Sequence, residues 1–243
     1  MTNIHFSMKI IKNKSILIFK RLRNIIFNDR FGSCFGAIFF TVWIGQRLYF
    51  NYTEHFTFTI DALTWWLITL QFCIFVIAYF TRCKAREKAQ GFIEVVFPFI
   101  CAGFPFVLIM DYPFRPITYN IVSLKHLSTV LVIGGTLVVI SGAVFLRKSF
   151  SIMTEVRRPV LTGIYGVTKH PMYLGSMATA LGTLFQNFGL WNCFIFVAFC
   201  ICQVYRATRE ENKIMKTCSD YKDYKRQVGW LWKIGKRRIA QRE

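Results

Sequence analysis

The chain has 243 residues, of which 54% are hydrophobic, 17% aromatic and only 18% charged. Soluble domains carry about 25% charged residues, so this balance excludes disorder and argues against a single water-soluble domain. The charge is lopsided, because 31 Lys and Arg against 12 Asp and Glu leave +19, a surplus that suits nucleic acid, anionic lipid or membrane topology.

Residues 1–30 hold 7 basic side chains. Lys9, Lys12, Lys14 and Lys20 interrupt the apolar run and no small-residue cleavage site follows, so no secretory signal is read here. Ile10, Ile11, Leu17, Ile18, Leu22 and Ile25 at loosely helical spacing suit a basic amphipathic helix on the inner membrane face, or a basic tail that enforces topology. Apolar blocks follow at 31–50, 61–80, 92–110, 121–146, 171–186 and 188–205. Four of them reach the roughly 20 residues that cross a bilayer core as a helix. Pro98, Gly103 and Pro105 predict a kink in the third block. The fifth is short and only Gln186-Asn187 separates it from the sixth, which predicts a tight hairpin that need not span fully.

The connections carry the charge. Residues 81–91 hold 4 basic side chains, 147–170 hold 5 and 206–243 hold 12, whereas 51–60 and 111–120 share a single one, Arg115. This alternation is the positive-inside pattern; it places both termini and the two basic loops in the cytoplasm and explains the net charge without nucleic acid. The expected fold is all-α, a polytopic membrane bundle of about five or six transmembrane helices. It divides into a basic segment 1–30, four transmembrane helices over 31–146, and a C-terminal core 147–243 made of a cytoplasmic loop, a helical hairpin and a basic tail.

The eight cysteines never stand as Cys-x-x-Cys, so no disulfide framework or metal site is expected. Polar residues inside the apolar blocks are few, among them Gln46, Gln71, Glu94, Lys125, His126 and Gln203. Glu94 lies near its helix end and Lys125 and His126 near the other surface, within reach of the interface. No clear midplane carboxylate or broken-helix pair points to a proton-coupled transporter.

Two stretches carry chemistry. In Arg147–Gly175, Pro171 suits the first position of a helix, with His170 biased to an extended conformation before it. Such a helix start at the membrane surface can receive an anionic ligand group. Tyr165, His170 and Tyr173 crowd that spot, and Gly163 and Gly175 allow a backbone or ligand to approach closely. In Tyr205–Gln227, Arg206 and Glu210 are four apart and so share a helix face where they can pair, while Glu211 adds a second carboxylate.

Together these stretches resemble the isoprenylcysteine carboxyl methyltransferase and phospholipid methyltransferase group of integral membrane enzymes. Gly163-x-Tyr165, then Lys169-His170-Pro171-x-Tyr173-x-Gly175, match its first signature; Arg206, Glu210-Glu211, and Tyr221 and Tyr224 match its second. The resemblance covers about 100 residues from Arg147 onward. It implies S-adenosylmethionine as cofactor, bound by Gly163, Tyr165, Lys169, His170, Pro171, Tyr173, Gly175, Glu210 and Tyr221. Arg206, Glu210 and Glu211 are the implied catalytic residues, and a lipophilic acceptor in the bilayer is the implied partner. The implied reaction is most like protein-S-isoprenylcysteine carboxyl O-methylation. The alternatives are a phospholipid amine or a small lipophilic thiol or carboxylate as acceptor, and more distantly an NADPH-dependent sterol-reductase-like enzyme, a transporter or a scaffold. This chain departs from the pattern at Lys169, which stands for Arg, at Cys218-Ser219, and at Gly229, which follows Val228 where proline is usual.

Overall fold

The computed structural model describes residues 29–51, 60–108 and 122–231. The basic segment up to residue 28 and Arg115 lie outside the described residues. Eight α-helices are seen among the described residues: α1 Asp29–Asn51, α2 Ile60–Thr81, α3 Gly91–Val95, α4 Phe97–Val107, α5 Val122–Leu146, α6 Pro171–Gln186, α7 Leu190–Thr217 and α8 Tyr221–Gln227. The all-helical expectation holds, with no strand among the described residues.

Three spans within this set are long and apolar enough to cross a bilayer: Ala62–Thr81, Leu124–Ser149 and Leu190–Thr217. That is fewer than the five or six expected from the apolar blocks. The third block is divided, because α3 ends just before Val96 and α4 begins at Phe97, next to Pro98, which fits a helix start but not a helix interior. The fifth block gives α6, whose 16 residues span only about 24 Å against a hydrocarbon core of about 30 Å. By contrast, the 28 residues of α7 extend about 42 Å, so its charged C-terminal turns reach past the apolar layer.

The helices form a circuit. α1 packs on α2 through Phe40, whose ring centroid is 5.7 Å from Phe72 and 5.0 Å from Phe75. α2 packs on α5, with Val139 and Ala143 in the same buried cluster. α5 and α6 run antiparallel along a seam of small residues: a Cβ on Gly175 would stand 2.6 Å from Gly135 O, and one on Gly182 2.7 Å from Ser128 O. Helices in lipid associate by such close backbone approach, since lipid tails compete with larger apolar side chains. Ser128 Oγ donates to Gly182 O across the seam at 2.8 Å. α7 joins α6 through Gln203, which donates to Ser176 Oγ at 3.4 Å. It joins α4 through Phe97–Tyr205 at 5.8 Å and Phe104–Phe199 at 6.5 Å. Phe39 and Phe99, 5.9 Å apart, bring α4 back to α1.

The basic connections gather at one end of this circuit. Cys83 N–H donates to Lys148 O at 2.8 Å, and Arg86 and Glu87 both donate to Val156 O, with Val156 N–H returning to Glu87 O at 3.0 Å. Thr217, at the end of α7, donates to Glu87 Oε2 at 2.9 Å. Three of the four basic segments therefore share a surface, as the alternation of charge along the chain requires.

Candidate active site

A cavity of about 270 Å³ runs inside the circuit, and α1, α2, α4, α5, α6 and α7 all contribute to its wall. Its two ends differ. One is apolar, faced by Phe40, Phe72 and Phe75, with Arg47 and Gln71 also on the wall. The other is polar, faced by Tyr165, Lys169, His170, Tyr173, Glu210 and Tyr221. Arg206 lines the cavity as well.

The polar end is assembled from three pieces of chain. Gly163 takes a left-handed φ of +64°, and a Cβ there would lie 2.1 Å from the Phe145 ring, so this turn against the end of α5 requires glycine. The turn aims Tyr165 inward, where its hydroxyl donates to Gly142 O at 3.4 Å. Pro171 then opens α6, and no side chain caps that helix. The first-turn residues Met172 and Tyr173 both line the cavity, so the positive end of the α6 dipole faces it. The third piece is α7 with α8. Tyr173 OH donates to Glu210 Oε2 at 2.8 Å, and Tyr224 OH donates to Tyr165 O at 2.6 Å.

Glu211 points elsewhere. Its Oε1 lies 2.7 Å from His170 Nε2 and 3.1 Å from Lys169 Nζ, and its Oε2 lies 2.8 Å from Lys225 Nζ. The carboxylate is buried and saturated by these partners, and it is not part of the cavity wall. The two adjacent glutamates thus divide the work: Glu210 faces the cavity and Glu211 holds the imidazole and two lysines in place. Lys169 serves this ion pair with a single compact ammonium.

Arg206 and Glu210 do not pair, contrary to the expectation from their spacing. Arg206 Nη1 donates to Gln203 Oε1 at 3.1 Å and Nη2 to Ile152 O at 2.9 Å, while its Cζ sits 5.3 Å from the Tyr173 ring centroid. Its Nε is buried without a hydrogen-bond partner. Glu210 is drawn instead to the Tyr173 hydroxyl on the neighbouring helix, a contact that spacing along α7 does not encode.

Gly163, Pro171 and Gly175, expected at the cofactor, are absent from the cavity wall. Gly163 and Pro171 shape the backbone that presents Tyr165 and Tyr173. Gly175 lies on the α5 side of α6, where Gly135 and Val139 occupy the space above its Cα.

The tail completes the site in a way the sequence did not announce. Tyr221, Tyr224 and Val228 form a buried cluster against Leu161, Ile214, Met215 and Cys218. Cys218 is therefore an apolar filler, and Gly229 O accepts the Lys169 N–H at 3.1 Å. Trp230 packs on His170 with centroids 4.5 Å apart, and its carbonyl accepts from the Thr168 hydroxyl. Burial holds the hydroxyls of Tyr165, Tyr221 and Tyr224 well above the ordinary tyrosine pKa; Glu210 adds to the effect at Tyr165, and Glu211 at Tyr221 and Tyr224. All three are neutral at neutral pH, and Tyr165 and Tyr224 donate hydrogen bonds. Among the described residues no group of His, Cys, Asp and Glu could hold a metal ion.

Residues 122–220 match the family model described as phospholipid methyltransferase. This stretch, α5 through α7 with every residue of the polar end up to Asp220, is similar to the integral membrane methyltransferase group that includes the isoprenylcysteine carboxyl methyltransferases. The match covers less than half of the chain, and α1 through α4 stand outside it. No curated protein matches the chain at a significant level.

Proposed function

We propose that the protein transfers a methyl group from S-adenosylmethionine to a lipophilic acceptor, with the cofactor at the polar end of the cavity and the acceptor chain against Phe40, Phe72 and Phe75. The observation that carries this reading is the continuity of one cavity from the Tyr173–Glu210 pair to that aromatic wall. The residues present fit the cofactor. The uncapped start of α6 suits its carboxylate, Glu210 suits its ammonium, and the faces of Tyr165 and Tyr173 suit adenosine or a sulfonium. The basic end of the bundle faces the cytoplasm, where a soluble cofactor is available.

Bound there, the cofactor supplies an electrophilic methyl group for in-line displacement. The chain's own residues align the acceptor with that methyl and keep the site dry. Arg206 has only neutral partners among its hydrogen bonds, which suits it to hold an acceptor carboxylate or phosphate. An ionised carboxylate would need no base to accept the methyl group that the cofactor would supply, and Arg206 would hold that carboxylate in line. We therefore place carboxyl O-methylation first. Amine N-methylation of a phospholipid is the second reading, favoured by the family match; there Glu210 is the carboxylate positioned to take the amine proton.

Labelled S-adenosylmethionine separates these readings when offered with a farnesylcysteine or with phosphatidylethanolamine vesicles. The first reading expects label in the farnesylcysteine, released as methanol by alkali; the second expects alkali-stable label in the phospholipid. Label in neither, with purified and folded protein, contradicts methyl transfer to a lipid.

A further inference from the structure

A buried ammonium on α7 takes no part in the chemistry described so far. Lys213 Nζ lies 2.6 Å from Glu94 Oε2, 2.8 Å from Lys88 O and 3.1 Å from Thr154 O. Three acceptors, two from residues 86–94 and one from residues 149–157, converge on a group with three N–H donors. Glu94 is itself committed twice more, accepting the Gln90 N–H at its side chain at 2.8 Å and the Thr154 N–H at its carbonyl at 3.0 Å. The result is a strap, residues 149–157, whose outer edge is fastened to residues 86–94 and to Lys213.

The inner edge of the strap is cavity wall, through Phe150, Ile152 and Glu155. Ile152 O is the acceptor for Arg206 Nη2 at 2.9 Å. Seven residues, close to two turns, separate Arg206 from Lys213, so both project from one stripe of α7. They grip the same strap two residues apart, at Ile152 O and Thr154 O. Glu211 projects from nearly the opposite side of the helix, and its contacts with Lys169, His170 and Lys225 do not pass through the strap.

We infer that Lys213 is a positioning residue: by fixing the strap through Glu94 and Thr154 it sets the Ile152 carbonyl that aims Arg206, and so governs alignment of the acceptor without governing cofactor binding. The inference rests on the methyl-transfer reading for its catalytic consequence, while the fixing of the strap is independent of it.

The test compares wild type with Lys213→Met, and with Lys213→Met/Glu94→Leu, which removes both charges so that no buried carboxylate is left unpaired. Turnover of the better acceptor, affinity for S-adenosylhomocysteine and amide hydrogen exchange across 149–157 are measured on each. In the double variant kcat falls by roughly 10- to 100-fold, the scale of a misplacement of about 1 Å, adenosylhomocysteine affinity stays within about twofold, and exchange at 149–157 quickens. Unchanged kcat overturns the inference. So does a loss of adenosylhomocysteine affinity in step with kcat, which would mark Lys213 as a general structural residue. If wild type transfers no methyl group to any acceptor, it is the functional reading that fails; quickened exchange then still upholds the fixing of the strap, and unchanged exchange overturns it.

Discussion

The two ends of the cavity are made of different material and obey different rules. At the α6–α7–α8 end, polar groups are held by named partners: the Tyr173 hydroxyl by Glu210, the Tyr165 carbonyl by Tyr224, His170 by Glu211 and Trp230. At the α1–α2 end, Phe40, Phe72, Phe75 and Phe150 pack ring against ring, stacked or edge to face, at centroid distances of 4.9 to 5.7 Å. Recognition of a small charged cofactor needs fixed donors and acceptors, because a misplaced buried polar group costs more than it contributes. Accommodating a lipid chain needs only apolar volume, which tolerates exchange of one large side chain for another. The family match follows the same division, covering 122–220 and leaving α1 through α4 aside.

This contrast predicts a graded series of substitutions. The largest stability effect belongs to Glu211→Ala. It removes one carboxylate from the midst of Lys169, His170 and Lys225 and leaves the buried Lys169 ammonium uncompensated, a loss of about 3 kcal/mol or more to be read as a lowered thermal midpoint. Next comes Gly175→Ala. The added methyl meets Gly135 O at 2.6 Å and must part α5 from α6, at about 1 to 3 kcal/mol. A thermal midpoint equal to wild type would show that the seam has slack.

Tyr224→Phe removes the hydrogen bond to Tyr165 O and is expected to lower stability by about 1 kcal/mol. The same tyrosines set an alkaline limit. Folding raises the pKa of Tyr165, Tyr221 and Tyr224 above 10.0, so the folded state holds their protons more tightly than the unfolded state does. Their contribution to stability is therefore complete below about pH 10 and declines as the pH rises beyond it. The thermal midpoint should be insensitive to these residues between pH 7 and 9. A fall already at pH 8 that Tyr224→Phe abolishes would contradict the burial of that hydroxyl.

The smallest effect is expected on the aromatic side. Phe72→Leu should cost less than about 1.5 kcal/mol, shift the acceptor KM a few-fold and leave adenosylhomocysteine affinity unchanged. A change in cofactor affinity instead would erase the division between the two ends.

Much of the polar end was legible in the sequence because its residues carry their chemistry in their spacing. A proline after His170 specifies a helix start, and Tyr173 falls within the first turn. Elsewhere spacing admits two meanings. A glycine at position 175 has the same signature whether a ligand or another backbone approaches, and the partner here is α5. Residues four apart share a face, yet sharing a face does not decide between an intrahelical ion pair and Tyr173 on the next helix. The grip of Lys213 on Glu94 joins positions 119 apart, and the packing of Trp230 on His170 joins loop to tail. Such contacts arise from the closing of the bundle and leave no periodic trace. The length of α6 was the reverse case, since a short apolar block already announced a short helix.

Glu210 is the proposed anchor of the cofactor. Thermal unfolding of the detergent-purified protein, wild type and Glu210→Gln, with S-adenosylhomocysteine and separately with NADPH, addresses it directly. At a hundredfold excess over its dissociation constant, adenosylhomocysteine should stabilise wild type by about 2.7 kcal/mol. The Glu210→Gln protein should lose most of that stabilisation, and NADPH should stabilise neither. Stabilisation by NADPH alone, or an adenosylhomocysteine effect that Glu210→Gln leaves intact, would contradict the site as assigned.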